Sequence, residues 1–248
     1  MTRVLVTGST GAIGAPLALH LAERGHTVRG FARRPSPGLS DFVEGDLADG
    51  AAVRRAVEGM EAIVHLGAYP NPADFVEVLL GPNVLGLYHI CEAAVEFGVK
   101  RLVLASTVQT VTGHRFRDRP VRIEDGPAPV NHYALTKVWA EVTGEMYARV
   151  HNLSVISVRI GWLPRNTGEA KRLAASEHGR AMFFSHEDSK RFFTLCVESE
   201  SPAAGTAVVL NAQSRAEGVE RLDLEPARRV IGYEAQDVWP EGLPFPIE

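Results

Sequence analysis

The chain has 248 residues, 45% of them hydrophobic and 23% charged, the balance of a protein that buries one substantial core. Its formal net charge of -4, with Lys and Arg scattered rather than blocked, excludes the basic field that holds nucleic acid, so a small-molecule partner is expected. No stretch approaches the roughly 20 apolar residues of a membrane span, and Met1 leads into a strand without a signal-peptide pattern, which predicts a soluble, cytoplasmic protein.

Apolar runs at Val4 to Val6, Thr27 to Phe31, Ala62 to Leu66, Leu102 to Ala105 and Val155 to Val158 predict strands, separated by segments of helical periodicity. This alternation predicts an α/β fold, a doubly wound and mostly parallel Rossmann sheet. The longest helices are expected at Phe75 to Phe97, broken or kinked near Gly81-Pro82, and at Tyr133 to His151, with Leu135, Val138, Trp139, Val142 and Met146 along one side. Gly113 to Asn131 is a long loop rich in Pro and Arg, of a size that usually carries function or mobility. After Arg159 a polar segment, a short helix around Asp188 to Val197 and a strand at Ala207 to Leu210 follow. The expectation is a single domain over 1–248, in which 160–206 and 212–248 contribute a small C-terminal lobe covering the substrate. Cys91 and Cys196 sit in apolar helical patterns and read as buried free thiols. His114, His132, His178 and His186 lack ligand spacing, so no metal is expected.

The first strand runs into Thr7-Gly8-Ser9-Thr10-Gly11-Ala12-Ile13-Gly14, followed by a helical segment. Glycines here let the chain turn sharply and let a pyrophosphate approach the helix N-terminus, whose free N–H groups favour an anion. At the end of the second strand, where an acid would hold the ribose hydroxyls of NAD, the chain has Arg33 and Arg34. Two guanidinium groups suit a 2'-phosphate, so NADP(H) is favoured and NAD(H) is possible; two solvated loop arginines are the alternative reading. Asp46 and Leu47 follow the third strand, near the expected adenine, and His65, Leu66, Gly67 and Ala68 end the fourth beside the crevice.

Tyr133 and Lys137 open a helix four residues apart, which puts phenol and ammonium on one face. A phenol near pKa ~10 is a poor base at neutrality, and a neighbouring ammonium stabilises its phenolate. Lys137 also suits the nicotinamide ribose. Ser106 and Thr107 end the fifth strand, where a hydroxyl can hold the reacting oxygen, with Thr107 the first choice.

The glycine turn, Asp46-Leu47, the hydroxyl residue and Tyr133-x-x-x-Lys137 together resemble the extended short-chain dehydrogenase/reductase superfamily, in its NAD-dependent epimerase/dehydratase branch. Through Ile63-Val64-His65-Leu66-Gly67, Asn83 to Tyr88, Val158-Arg159-Ile160-Gly161 and Phe184 to Asp188, the chain is most similar to uronate dehydrogenases. The resemblance implies oxidation of the anomeric carbon of a hexuronic acid with NAD. It places Thr107 at the catalytic hydroxyl, Tyr133 as base, Lys137 as its partner, Asn83 as a support for the lysine through water, and Ile160 beside the cofactor. The helices from Phe75 and Tyr133 would form a four-helix homodimer interface.

The chain departs from that family with Val108-Gln109 after the catalytic hydroxyl and Arg33 in place of an acid. Substrate contacts are expected from Tyr69, Thr107, Gln109 and Tyr133, with a carboxylate-binding arginine sought among Arg165, Arg172 and Arg180; Arg172 and Arg180 are the expected pair. The function expected is NAD(P)-dependent hydride transfer to or from a small sugar, sugar acid or related carbonyl or alcohol. The alternatives are a nucleotide-sugar epimerase or dehydratase, and a non-catalytic NADP(H)-sensing regulatory protein.

Overall fold

Each strand predicted from the hydrophobic runs is present in the computed structural model, which describes residues 1–114, 119–216 and 218–247. The strands are β1 (Arg3–Thr7), β2 (Thr27–Ala32), β3 (Asp41–Glu44), β4 (Ala62–His65), β5 (Arg101–Thr107), β6 (Ser154–Ile160) and β7 (Ala207–Ala212). All neighbours pair in parallel, in the order β3-β2-β1-β4-β5-β6-β7. The chain leaves β1 towards β2 on one side and resumes on the other side at β4. Between β1 and β4 lies the switch point outside whose carboxyl ends such sheets bind their ligands.

The helices are α1 (Gly14–Glu23), α2 (Gly50–Val57), α3 (Gly86–Glu96), α4 (His132–His151), α5 (Thr167–Ala174), α6 (Glu177–Ala181), α7 (His186–Glu198) and α8 (Glu225–Ile231). Because side chains alternate along a strand, the sheet sorts its residues into two cores. Val4, Val6, Val64 and Val103 face Leu17 and Leu21 of α1, Phe192 and Phe193 of α7, and Ile231 of α8. Leu5, Ile63, Leu102 and Leu104 face Val53 of α2, Ile90 of α3 and Tyr147 of α4. Cys91 and Cys196 are buried free thiols in opposite layers.

Three expectations are corrected here. The range 160–206 is not wholly a lobe, since α7 within it packs on the sheet face that α1 also covers. What remains outside the two main layers gathers a small apolar cluster of its own, Val108, Val111, Val121, Met182 and Leu222, with Trp162 against it. Nor does the helix from Phe75 break at Gly81-Pro82. Phe75–Leu85 is a π-helical stretch that continues into α3, and the Gly86 N–H bonds back to the Gly81 carbonyl. The wider π turn accommodates a proline ring that supplies no N–H. The continuous helix Phe75–Glu96 is then 22 residues long, with an 18-residue window of mean hydropathy 1.4, enough by length and composition to cross a membrane, contrary to the expectation that no stretch would be. Here it forms the crossover between β4 and β5, with Leu87, Ile90, Cys91 and Ala94 in the core.

Side-chain caps fix the helix starts that matter for the site. Asn131 accepts from the Ala134 N–H at the start of α4 (2.8 Å), and Ser185 accepts from the Asp188 N–H at α7 (2.8 Å). Of the long loop, Gly113 is tied to the Ala128 carbonyl (2.9 Å) and His114 bonds the Gly126 carbonyl (2.8 Å); Arg115 to Asp118 lie outside the described residues.

Candidate active site

The parallel strands bring their carboxyl ends to one edge, and the glycine turn lies across it. Gly8 has φ 67, and a side chain there would meet the Gly67 backbone nitrogen at 2.9 Å. A side chain on Gly14 would run into the Gly8 carbonyl. The Gly8 N–H donates to Phe31 O (2.8 Å) and the Gly11 N–H to Gly8 O (2.9 Å), folding the turn tightly over β1 and β2. Thr10, Ala12 and Ile13 complete the turn, and α1 begins with no side-chain cap and no acid in its first turn. Its N–H groups and dipole are thus left for an anion. Leu47 fills the space beside Gly67 and Gly86, while Leu66 and Ala68 flank Gly67 at the end of β4. Arg33 and Arg34 are exposed just past β2, and exposed Asp46 accepts from the Ala48 N–H (2.9 Å). This glycine cradle under an uncapped helix fits the pyrophosphate of a nicotinamide dinucleotide.

Across the crevice, Thr107 ends β5 and Tyr133 and Lys137 stand on the first turns of α4, each 7% exposed. The Thr107 side chain lies close enough to the Tyr133 phenol to lower its pKa. Ile160 pairs with Thr107 at the end of β6. Lys137 has no hydrogen bond or ion pair among the described residues, an unusual condition for a buried ammonium, and one that suits a ligand hydroxyl. Asn83 turns its side chain elsewhere. Its Oδ1 accepts from the Tyr69 N–H (2.7 Å), and its Nδ2 donates to the Tyr69 carbonyl (3.1 Å) and to Thr136 Oγ1 (3.2 Å). It thereby clamps the backbone at half-exposed Tyr69 to the helix that carries Tyr133 and Lys137.

Other expected residues are placed differently. Ser106, adjacent to Thr107, points to the opposite side of β5 and donates to the buried Glu141 carboxylate (2.6 Å), which also holds Arg159 through two bonds of 2.9 and 2.8 Å. Strand alternation makes Ser106 part of this buried cluster, so it does not share the site with Thr107. Gln109 accepts from the Asn131 side chain (3.0 Å), holding the residue that caps α4. Arg172 lies with its side chain 68% exposed, 4.0 Å from Glu169, and Arg180 donates to the Ala174 carbonyl (2.6 Å), closing the α5–α6 turn. Arg165 acts electrostatically on both Tyr133 and Tyr69 and reaches the Asn71 side chain on the loop after Tyr69 (3.3 Å), which turns it towards the site. It stands five residues beyond β6 and four before Glu169, a helical ion-pair spacing that was legible in the sequence.

The NAD dependent epimerase/dehydratase family profile matches residues 4–164. The chain belongs to this family. It is 33% identical to an L-arabinose 1-dehydrogenase (NAD(P)(+)) of Haloferax volcanii, over 96% of this chain and 97% of that one. It is 29% identical to an NAD-dependent glucose-6-phosphate dehydrogenase of the same organism, over 94% and 93%. A variant of uronate dehydrogenase from Agrobacterium tumefaciens complexed with NAD superposes with a TM-score of 0.79 at 25% identity, covering 96% of this chain and 85% of that one. The protein is an NAD(P)-dependent oxidoreductase of the extended short-chain type.

Burial dominates the protonation of both Tyr133 and Lys137. Burial drives the Tyr133 phenol up to about 12, against the lowering effects of Thr107 and Arg165. Burial alone brings Lys137 down to about 8. The expectation that Lys137 lowers the phenol is therefore corrected for the protein by itself, because the lysine loses its proton before the tyrosine does. His65, expected at the end of the fourth strand but given no role there, is pressed down to about 3 by burial and by Lys137. Its Nδ1 lies 2.8 Å from the Thr7 hydroxyl, which accepts the Gly67 N–H (3.0 Å). The Thr7 hydroxyl thus links the His65 ring to the backbone at Gly67.

A depressed lysine destabilises the fold wherever the unfolded chain holds that proton more readily. The penalty is complete below about 8 and is relieved as pH rises from about 8 to 10.5, where only the unfolded chain binds the proton. Lys137→Met should accordingly raise the melting temperature of the cofactor-free protein at pH 7 while abolishing turnover, and should flatten the stability gain between pH 8 and 10. Thermal unfolding across that range checks this; a destabilised Lys137→Met would remove the argument.

Proposed function

We propose that the protein oxidises the C1 hydroxyl of an aldose to the lactone, with Tyr133 as the proton acceptor and NADP(H) as the favoured dinucleotide. The observation carrying the reading is the convergence of Thr107, Tyr133 and Lys137 at the β5 edge, opposite the glycine cradle. The C1-directed dehydrogenation named for the arabinose relative supports it. Gly8 to Gly14 would hold the pyrophosphate, Asp46 and Leu47 the adenine side, Leu66 to Ala68 and Ile160 the nicotinamide side, and Lys137 the ribose. Arg33 and Arg34, exposed and without bonds among the described residues, would take the 2'-phosphate.

NAD(P)+, when bound, supplies a hydride acceptor and a positive charge. Thr107 holds the substrate oxygen, and Tyr133 takes the hydroxyl proton as hydride leaves C1. That positive charge would favour the phenolate that burial opposes in the protein alone. Asn83 keeps the Tyr69 backbone fixed against α4. Val76, Leu80, Tyr88, Leu135, Trp139, Val142 and Val150, all exposed along Phe75–Glu96 and α4, are the surface a second copy would cover in a homodimer.

The test is nicotinamide absorbance with NAD and NADP against a panel of aldoses and uronic acids, on protein that should sediment at twice the mass of one chain. Reduction of NADP in preference to NAD, by aldoses, is expected. No absorbance change with any sugar, or conversion of a nucleotide sugar without net redox, would overturn the reading.

A further inference from the structure

We propose that Glu169 is a specificity-determining residue that masks Arg165 and so restricts the site to uncharged sugars, at the expense of sugar acids bearing a carboxylate. This rests on the sugar-oxidising reading above and names its substrate class.

Arg165 carries the guanidinium whose charge acts on Tyr133 and Tyr69, it reaches Asn71 on the loop after Tyr69, and it is already engaged. Its Nε donates to both Glu169 oxygens at 3.0 Å, its Nη2 donates to Glu169 Oε1 at 2.5 Å, and its backbone N–H donates to Oε2 at 2.8 Å. Nη2 also reaches Asn71 Oδ1 (3.3 Å), which turns the guanidinium towards the loop from Tyr69. Glu169 is 8% exposed, and its place is fixed by Asn166, whose side chain accepts from the Glu169 N–H (3.0 Å).

A carboxylate binds arginine best through two parallel N–H groups. The edge formed by Nε and Nη2 is closed by Glu169, and only Nη1 has no bond among the described residues. A substrate carboxylate must therefore displace Glu169, stranding a buried charge, or settle beside a like charge, and either is unfavourable. A neutral sugar meets neither obstacle, because one hydroxyl can accept from Nη1 and another can donate to Glu169.

The test compares D-galactose with D-galacturonate, identical except for CH2OH or carboxylate at C6, in the enzyme with bound nicotinamide nucleotide. Wild type should favour galactose in kcat/KM. Glu169→Gln, which unmasks the guanidinium, should move the ratio towards galacturonate by about 10-fold or more. Arg165→Gln, which leaves the Glu169 charge bare, should move it the other way. Opposite shifts in the two variants support masking; an unchanged ratio, or shifts of the same sign, overturn it. Ligand-induced thermal stabilisation with NADPH bound gives a second readout. If no sugar is oxidised at all, the sugar-oxidising reading fails, while galacturonate stabilising only Glu169→Gln still supports the mask, and equal stabilisation of both proteins overturns it.

Discussion

Tyr133→Phe should lower kcat by about 10^3-fold, within the range that a positioned acid or base contributes, and leave nicotinamide nucleotide binding intact. The phenol is buried, with Thr107 close by, so the substitution removes one oxygen without changing the packing. Loss of a single buried hydroxyl costs about 1 kcal/mol, too little to unfold the chain. The glycine cradle and Lys137 are untouched, and binding of NADPH measured by fluorescence should be unchanged within about 3-fold. Thr107→Ala should cost less, since Tyr133 remains to accept the proton. A Tyr133→Phe enzyme retaining more than about a tenth of wild-type kcat would show that the proton leaves by another route.

The sheet was readable because its signals are local. Val4 to Val6 and Leu102 to Ala105 are continuous apolar runs, as strands buried on both faces must be, and the glycine turn sits directly between a strand and a helix. Tyr133 and Lys137 were readable because a helix fixes what lies four residues apart. The errors come from contacts that sequence spacing does not encode. Ser106 and Thr107 are neighbours in the chain, yet alternation along β5 sends one to Glu141 and the other to Tyr133. Arg165, Arg172 and Arg180 share one polar segment, and only the course of the chain after β6 decides which faces the crevice. Pro82 reads as a helix breaker, and the π stretch that accommodates it depends on the sheet and on α4 packed around it. His65 reads as the end of an apolar strand, and its place beside Lys137 follows from the order of β1, β4 and β5.

The Glu141–Arg159 pair carries the largest expected effect on stability. Glu141 and Arg159 are 7% and 2% exposed, joined by two hydrogen bonds, with Ser106 adding a third to the carboxylate. Glu141→Ala leaves the guanidinium buried without a counter-charge, and removing one partner of such a pair costs about 3–5 kcal/mol. For a domain of this size each kcal/mol lowers the melting temperature by about 2–4 °C, so a fall of roughly 6–20 °C is expected. Ser106→Ala, which removes only a hydroxyl from the cluster, should cost about 1 kcal/mol. Replacing both ions together, as Glu141→Leu with Arg159→Met, should recover most of the loss, because a buried pair adds little over well-packed apolar groups. Glu141 also lies one turn beyond Lys137 on α4, and the pair ties that helix to β6 beneath the site. Glu141→Ala should therefore lower kcat as well, while the double replacement, which keeps the helix seated, should restore it. Thermal unfolding and initial rates on the three variants separate these outcomes. A Glu141→Ala protein that melts within 2 °C of wild type, about 1 kcal/mol or less, would mean that water or a neighbouring carbonyl compensates Arg159, and that the pair does not hold α4 in place.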